Sequence, residues 1–205
     1  SAGTIKHGLS TTPSMIIIKN RSSAYDWTVG HNSLGWTNVV FLNATTASQG
    51  DTQFNNTAPT SSVFSIGTPL MANKSGDSII AYCFAEKKGY SKFGSYSPNG
   101  NADGNFIYTG MTPAFVMIKN SDNGGRDWVM YDNKRPIPNS ASKVLEANTS
   151  DAESTLDLDI DLLSNGFKLR GAAGNINTSD GVNYIYMAFA ESPFVSSSGV
   201  PATAR

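Results

Sequence analysis

Thr12-Pro13-Ser14-Met15-Ile16-Ile17-Ile18-Lys19-Asn20 returns one hundred positions later as Thr112-Pro113-Ala114-Phe115-Val116-Met117-Ile118-Lys119-Asn120. Each block leads through a polar turn to an Asp-Trp pair, Asp26-Trp27 and Asp127-Trp128. Each half then closes alike, with Ile80-Ala81-Tyr82-Cys83-Phe84-Ala85-Glu86 matching Ile185-Tyr186-Met187-Ala188-Phe189-Ala190-Glu191. Three matches in order imply two diverged copies of one unit.

The apolar runs inside a unit are short, β-branched or aromatic, and bounded by Gly, Pro, Asn and Asp, which is the signature of strands rather than helices. The fold class expected is all-β: an antiparallel two-sheet sandwich of concanavalin A-like or jelly-roll type with internal duplication. Arg21 to Tyr25 and Ser121 to Arg126 read as hairpin loops, Asn123-Gly124 supplying the positive φ that such turns favour. The continuous apolar blocks imply strands covered on both faces. Leu156-Asp157-Leu158-Asp159-Ile160-Asp161-Leu162 alternates instead, as a strand with one wet face does. A small lone unit is marginal in water, so one shared core is expected over residues 1–195, with repeats at about 1–97 and 98–195. Two abutting domains are the alternative. The Ser/Gly/Pro-rich stretch 196–205 is expected to be a flexible tail.

Fifteen Lys and Arg balance sixteen Asp and Glu without a basic stripe, so a nucleic-acid partner is not expected. No apolar run approaches the ~20 residues of a membrane helix, so no membrane insertion is expected. Ser1-Ala2-Gly3-Thr4 has no secretory-leader pattern, and export by that route is not expected. Cys83 is the only cysteine and lies in an apolar run, which fits a small buried side chain rather than a disulfide or thiolate site.

Two features have a catalytic or metal-binding look. Asp157, Asp159 and Asp161 could offer paired carboxylates to a glycosidic bond, loosely as in laminarinase-type glycosidases. That family uses Glu at those positions, and the matching stretch of the first copy, Thr52 to Thr60, has no carboxylate, so a solvated face is the expectation. Asn99, Asn101, Asp103 and Gly104 resemble half a calcium loop, but Gly110 stands where the closing Glu belongs. His7 and His31 have no ligand or nucleophile partner at a working spacing. No catalytic residue, metal or cofactor is expected.

Positions shared by the copies most simply serve packing, and unshared polar and aromatic residues on loops are the better binding candidates. After the Asp-Trp strands the first copy has His31-Asn32-Ser33-Leu34-Gly35-Trp36 and the second Tyr131-Asp132-Asn133-Lys134-Arg135. His31, Asn32, Trp36, Tyr131, Asn133 and Arg135 are therefore the candidate receptor- or glycan-binding residues, the rings to stack on sugar and the rest to bond its hydroxyls.

Ala81 to Glu86 with Gly89 to Tyr96, Leu163 to Arg170, and Tyr184 to Glu191 followed by Pro193-Phe194 carry a wider likeness. In these segments the chain resembles tail-associated proteins of marine phages, described as concanavalin A-like lectin or SPRY-like domains of tail fibres and other virion proteins. The resemblance implies a virion location, other virion proteins as neighbours, and a host cell-surface glycan or receptor as partner. Weak individual sites would need several copies, so a homo-trimer is expected. A purely structural virion role, as capsid decoration or fibre packing, is the alternative, and a glycoside hydrolase the third.

Overall fold

The computed structural model describes residues 1–135, 140–155, 158–178 and 181–191. The chain is almost entirely antiparallel β-structure, in two compact units that meet at Ala85/Glu86. Each unit owns a hydrophobic core, where the sequence led us to expect one shared core and a boundary near residue 97. The strand that decides the boundary is Ser91–Tyr96, which pairs with the last strand of the second unit.

The first unit holds β1 (Gly3–Lys6), β2 (Pro13–Asn20), β3 (Thr28–His31), β4 (Asn38–Phe41), β5 (Gln49–Gly50), β6 (Val63–Ile66) and β7 (Ile79–Ala85), with one helical turn α1 (Leu70–Asn73). They form a five-stranded sheet, β5-β4-β3-β2-β7, and a two-stranded sheet, β1-β6. Ile16 and Ile18 of β2, Val39 and Phe41 of β4 and Phe64 of β6 share a core with Trp36 and Phe54. The second unit holds β8 (Ser91–Tyr96), β9 (Phe106–Tyr108), β10 (Pro113–Asn120), β11 (Trp128–Asp132), β12 (Leu145–Glu146), β13 (Ile160–Leu163), β14 (Gly166–Leu169) and β15 (Tyr184–Ala190). Its sheets are β12-β11-β10-β15-β8 and β13-β14-β9. Val116, Ile118, Tyr184 and Tyr186 from one meet Ile107, Phe167 and Leu169 from the other, as two layers of a sandwich do.

The pairing of the two large sheets corresponds residue for residue. Ile16, Ile17 and Ile18 oppose Cys83, Tyr82 and Ala81, as Val116, Met117 and Ile118 oppose Ala188, Met187 and Tyr186. Both ladders shift register after the proline, between Pro13 and Met15 and between Pro113 and Phe115. Proline has no N–H to give a ladder, so it belongs at a strand start or bulge. In the smaller sheets Ile5 opposes Phe64, and Ile107 opposes Phe167. The continuous apolar blocks are buried on both faces, Met15 to Ile18 and Val116 to Ile118 throughout.

Candidate functional site

The repeated Lys-Asn and Asp-Trp pairs turn out to be hairpin fasteners. Asn20 Oδ1 accepts the N–H groups of Ser22 and Ser23, both at 2.9 Å, and Asn120 Oδ1 those of Asp122 (3.1 Å) and Asn123 (2.9 Å). An Asn side chain folded onto its own turn replaces a backbone bond the hairpin lacks. Lys19 Nζ donates to the Asn20 carbonyl at 2.6 Å and the Tyr25 carbonyl at 2.9 Å, and Lys119 Nζ to the Arg126 carbonyl. Lys119 is fully buried, and that burial brings its ammonium down from 10.5 to about 8, with nearby Asp127 pulling the other way.

The Asp-Trp pairs are clamped by asparagines that sequence comparison of the copies had not singled out. Asn43 Oδ1 accepts the Trp27 N–H at 2.8 Å while its Nδ2 donates to Asp26 at 2.8 Å; Asn148 does the same to Trp128 and Asp127, at 2.8 Å each.

Of the six residues proposed from sequence for receptor binding, His31, Trp36 and Tyr131 are buried within their own units. Trp36 is 9% exposed and stands edge-on to Phe54, ring centroids 5.2 Å apart, inside the first core. A Cβ on Gly30 would lie 2.5 Å from the Phe54 ring and 2.8 Å from the Trp36 ring, so those rings rest directly on the β3 backbone. Ile16 faces Gly30, and Val116 faces Tyr131 at the corresponding place in the other sheet. Tyr131 is fully buried and its hydroxyl donates to the Leu158 carbonyl; burial pushes that phenol well above its usual range, and Asp159 pushes the same way. The unshared aromatics are thus two ways of filling one space, a ring on the strand or rings above a glycine, which overturns their reading as ligand platforms.

The other candidates serve their own turns. His31 is buried, and its Nδ1 accepts the Ser33 N–H at 3.1 Å to start a helical turn at Asn32–Leu34. Asn32 is exposed, with its Oδ1 3.4 Å from the Ser33 hydroxyl. Arg135 is occupied by Asp132 at 2.5 Å, the Met130 carbonyl at 3.1 Å and Glu153 at 3.4 Å. Asp132 is held below its ordinary value: partial burial raises it, but the Arg135 bond and the Lys134 and Arg135 N–H groups outweigh that. Asn133 is half-buried, its backbone N–H on the Ala114 carbonyl at 3.0 Å.

The acidic stripe is only partly as expected. Leu158 and Ile160 point into the second core, with Leu162 packed against it, so the apolar half of the alternation is present. Asp161, expected on a wet face, is 8% exposed and paired with Arg170 at 2.6 Å. Asp159 is half-buried and accepts the Ser140 hydroxyl at 3.2 Å, while Leu156 and Asp157 lie outside the described residues. In the calcium-like loop, Asn99 and Asn101 accept the N–H groups of Asn101 and Asp103, and the Asp103 carboxylate pairs with Lys168 at 2.9 Å. Among the described residues no three or more His, Cys, Asp or Glu side chains group as a metal site. No helix among them is long and apolar enough to cross a membrane.

The strongest surface feature lies where sequence reasoning placed only scaffold. Trp27 immediately precedes β3 on the face that carries Val29, and Val29 and Tyr82 both oppose Ile17. Trp27 stacks on Tyr82, centroids 6.4 Å apart and planes 23° apart. Tyr82 is 43% exposed, Trp27 half-buried and Arg21 exposed. With Lys19, Asn20 and Ile80 they line an open hollow of about 480 Å³. Its counterpart Trp128 is fully buried, and Met187 stands where Tyr82 does, so the hollow goes with Tyr82 in place of a methionine together with the exposed face.

These features define a two-unit, all-β protein with an aromatic surface hollow on its first unit. The chain belongs to a domain family of unknown function, DUF7483, whose model matches residues 1–193. No curated protein and no solved structure matches it.

Proposed function

We propose that the chain is a non-enzymatic recognition module of a phage virion, in a tail fibre, that holds a host-surface glycan on the Trp27–Tyr82 platform. The observation that carries this reading is the stacked, partly exposed ring pair with Arg21 beside it on an open hollow. An aromatic face covers the C–H face of a pyranose, and a guanidinium bonds its hydroxyls or a uronic or sialic carboxylate. Fastening the hairpin through Lys19 and Asn20 holds the turn that leads into Trp27 before ligand arrives, which lowers the ordering cost of binding. The virion setting rests on the likeness to phage tail proteins, and the matched pairing of the two large sheets supports internal duplication. One shallow site of this kind binds weakly, near ~1 mM, so useful adhesion calls for a homo-trimer or higher array.

The test is binding of the full chain to an array of bacterial lipopolysaccharide O-chains and capsular oligosaccharides, with Trp27→Ala and Tyr82→Ala beside wild type. Each substitution is expected to weaken the bound glycan signal about tenfold or more, the ~1–3 kcal/mol of a lost stacking contact. Trp36→Ala and Tyr131→Ala are expected to lower stability instead of selectively lowering binding. Equal glycan binding by wild type and Trp27→Ala would sink the platform.

A further inference from the structure

Strand β7 is an edge that its counterpart is not. β15 lies between β10 and β8, whereas among the described residues β7 ends its sheet with β2 as its one partner. Their sequences align, Ile-Ile-Ala-Tyr-Cys-Phe-Ala with Tyr-Ile-Tyr-Met-Ala-Phe-Ala, yet Tyr184 to Ala188 are all buried while Ala81 and Tyr82 are exposed. The other ends of the large sheets are blunted: β5 and β12 are two residues long, and β8 carries Lys92. β7 has seven residues and neither a charge nor a proline, the devices by which exposed edges are ordinarily protected.

A cavity of about 410 Å³ lies under this edge, with Ile18, Phe64, Ile79, Ala81 and Cys83 as its apolar side and Lys6, His7, Lys74 and Asp77 also lining it. In the second unit Tyr96 of β8 opposes Tyr184, stacks on it at 5.1 Å and 5°, and donates its hydroxyl to the Ile176 carbonyl at 2.8 Å. Gly94 opposes Tyr186, and a Cβ there would lie 2.8 Å from the Tyr186 hydroxyl. In the first unit the residues at the places of Tyr184 and Tyr186 are Ile79 and Ala81, which are smaller. The first unit therefore has the edge of a strand-completed sandwich without the strand, and room beneath it for larger inward side chains.

We propose that the Ile79–Cys83 edge of β7 and the cavity beneath it form a docking groove for an extended strand of another polypeptide. That strand has the chemistry of β8, with an aromatic ring facing Ile79, but with an aliphatic side chain where β8 has Gly94. Backbone pairing along the edge supplies affinity, and the inward side chains supply selectivity. The groove lies on the inward face of β7 and the glycan platform on the outward one, so this proposal stands independently of the glycan reading.

Cys83 is the chain's only thiol and sits in the groove wall, so its reaction with a chromogenic disulfide reagent reports occupancy. The full chain would be titrated to about 1 mM with two synthetic peptides. One is residues 89–97, Gly-Tyr-Ser-Lys-Phe-Gly-Ser-Tyr-Ser, and the other has leucine at the position of Gly94. The leucine peptide is expected to slow the Cys83 reaction about tenfold and to slow amide exchange across Ile79–Cys83, with the unaltered peptide weaker. Ala81→Arg, at an exposed position, is expected to keep the wild-type melting temperature and lose peptide binding. An unchanged Cys83 rate with both peptides overturns the proposal. So does equal protection by decanoate, which would make the cavity a small-molecule site. Protection that grows with the concentration of the chain alone would assign the groove to a second copy instead.

Discussion

Asn148 shows how much one side chain decides at the residue scale. It joins the Trp128 N–H to the Asp127 carboxylate and so locks the entry of β11 to the turn after β12. Asn148 is half-buried and Asn43, which makes the same two bonds, is exposed. Water replaces lost partners at an exposed clamp but not at a sheltered one. Asn148→Ala is expected to cost ~1–3 kcal/mol and Asn43→Ala less than ~1 kcal/mol, read from urea midpoints. Equal losses would show that the two clamps are sheltered alike. The Asp-Trp repeat was legible in the sequence as a structural device; its partner was not, because the two asparagines sit 16 and 20 residues downstream of their tryptophans and so fall out of any fixed register.

At the scale of elements, strand identity and most of the core were legible because Met15 to Ile18 and Val116 to Ile118 leave no polar face for solvent. The recognition loops were misread for a reason that lies in packing. Tyr131 on one strand and Trp36 with Phe54 above Gly30 on the other fill equivalent volume, and volume exchange between positions distant in sequence leaves no trace in a residue-by-residue comparison. The Trp27–Tyr82 platform was missed because Trp27 was read as shared scaffold, whereas it is the partner across the sheet that makes it a surface feature. Close approach of strands gives a prediction at this scale. A Cβ on Gly166 would lie 2.1 Å from the Ile107 carbonyl oxygen, which is backbone and cannot step aside without parting β14 from β9. Gly166→Ala is expected to cost ~2–3 kcal/mol and to speed amide exchange in β9 and β14 ahead of the rest of the second unit. A wild-type exchange pattern would mean the three-stranded sheet adjusts as a whole.

Over the whole molecule, the buried titratable groups of the second unit give stability a shape in pH. Lys119 has a folded value of about 8 against 10.5 in the unfolded chain, so between those limits the unfolded state binds more protons and stability rises with pH. The penalty is fully present below pH 8 and is relieved as pH approaches 10.5, a swing of ~3 kcal/mol for this shift. The phenols act in the opposite sense. Tyr96 and Tyr131 are pushed well above 10.0 by burial, and Tyr186 up to about 12 by burial with a contribution from Glu86. Above pH 10 the unfolded chain loses phenolic protons that the folded one keeps, and stability falls. The unfolding free energy of the second unit is therefore expected to climb from pH 8, pass a maximum near pH 10 and then decline. Lys119→Met separates the two contributions, since a methionine fills the same buried path without a charge. Its stability is expected to be flat between pH 8 and 10 and to fall beyond, so the difference between wild type and variant isolates the lysine. If wild type and Lys119→Met run parallel through that window in urea denaturation, the ammonium keeps its proton in the fold, held by the Arg126 carbonyl and the Asp127 charge.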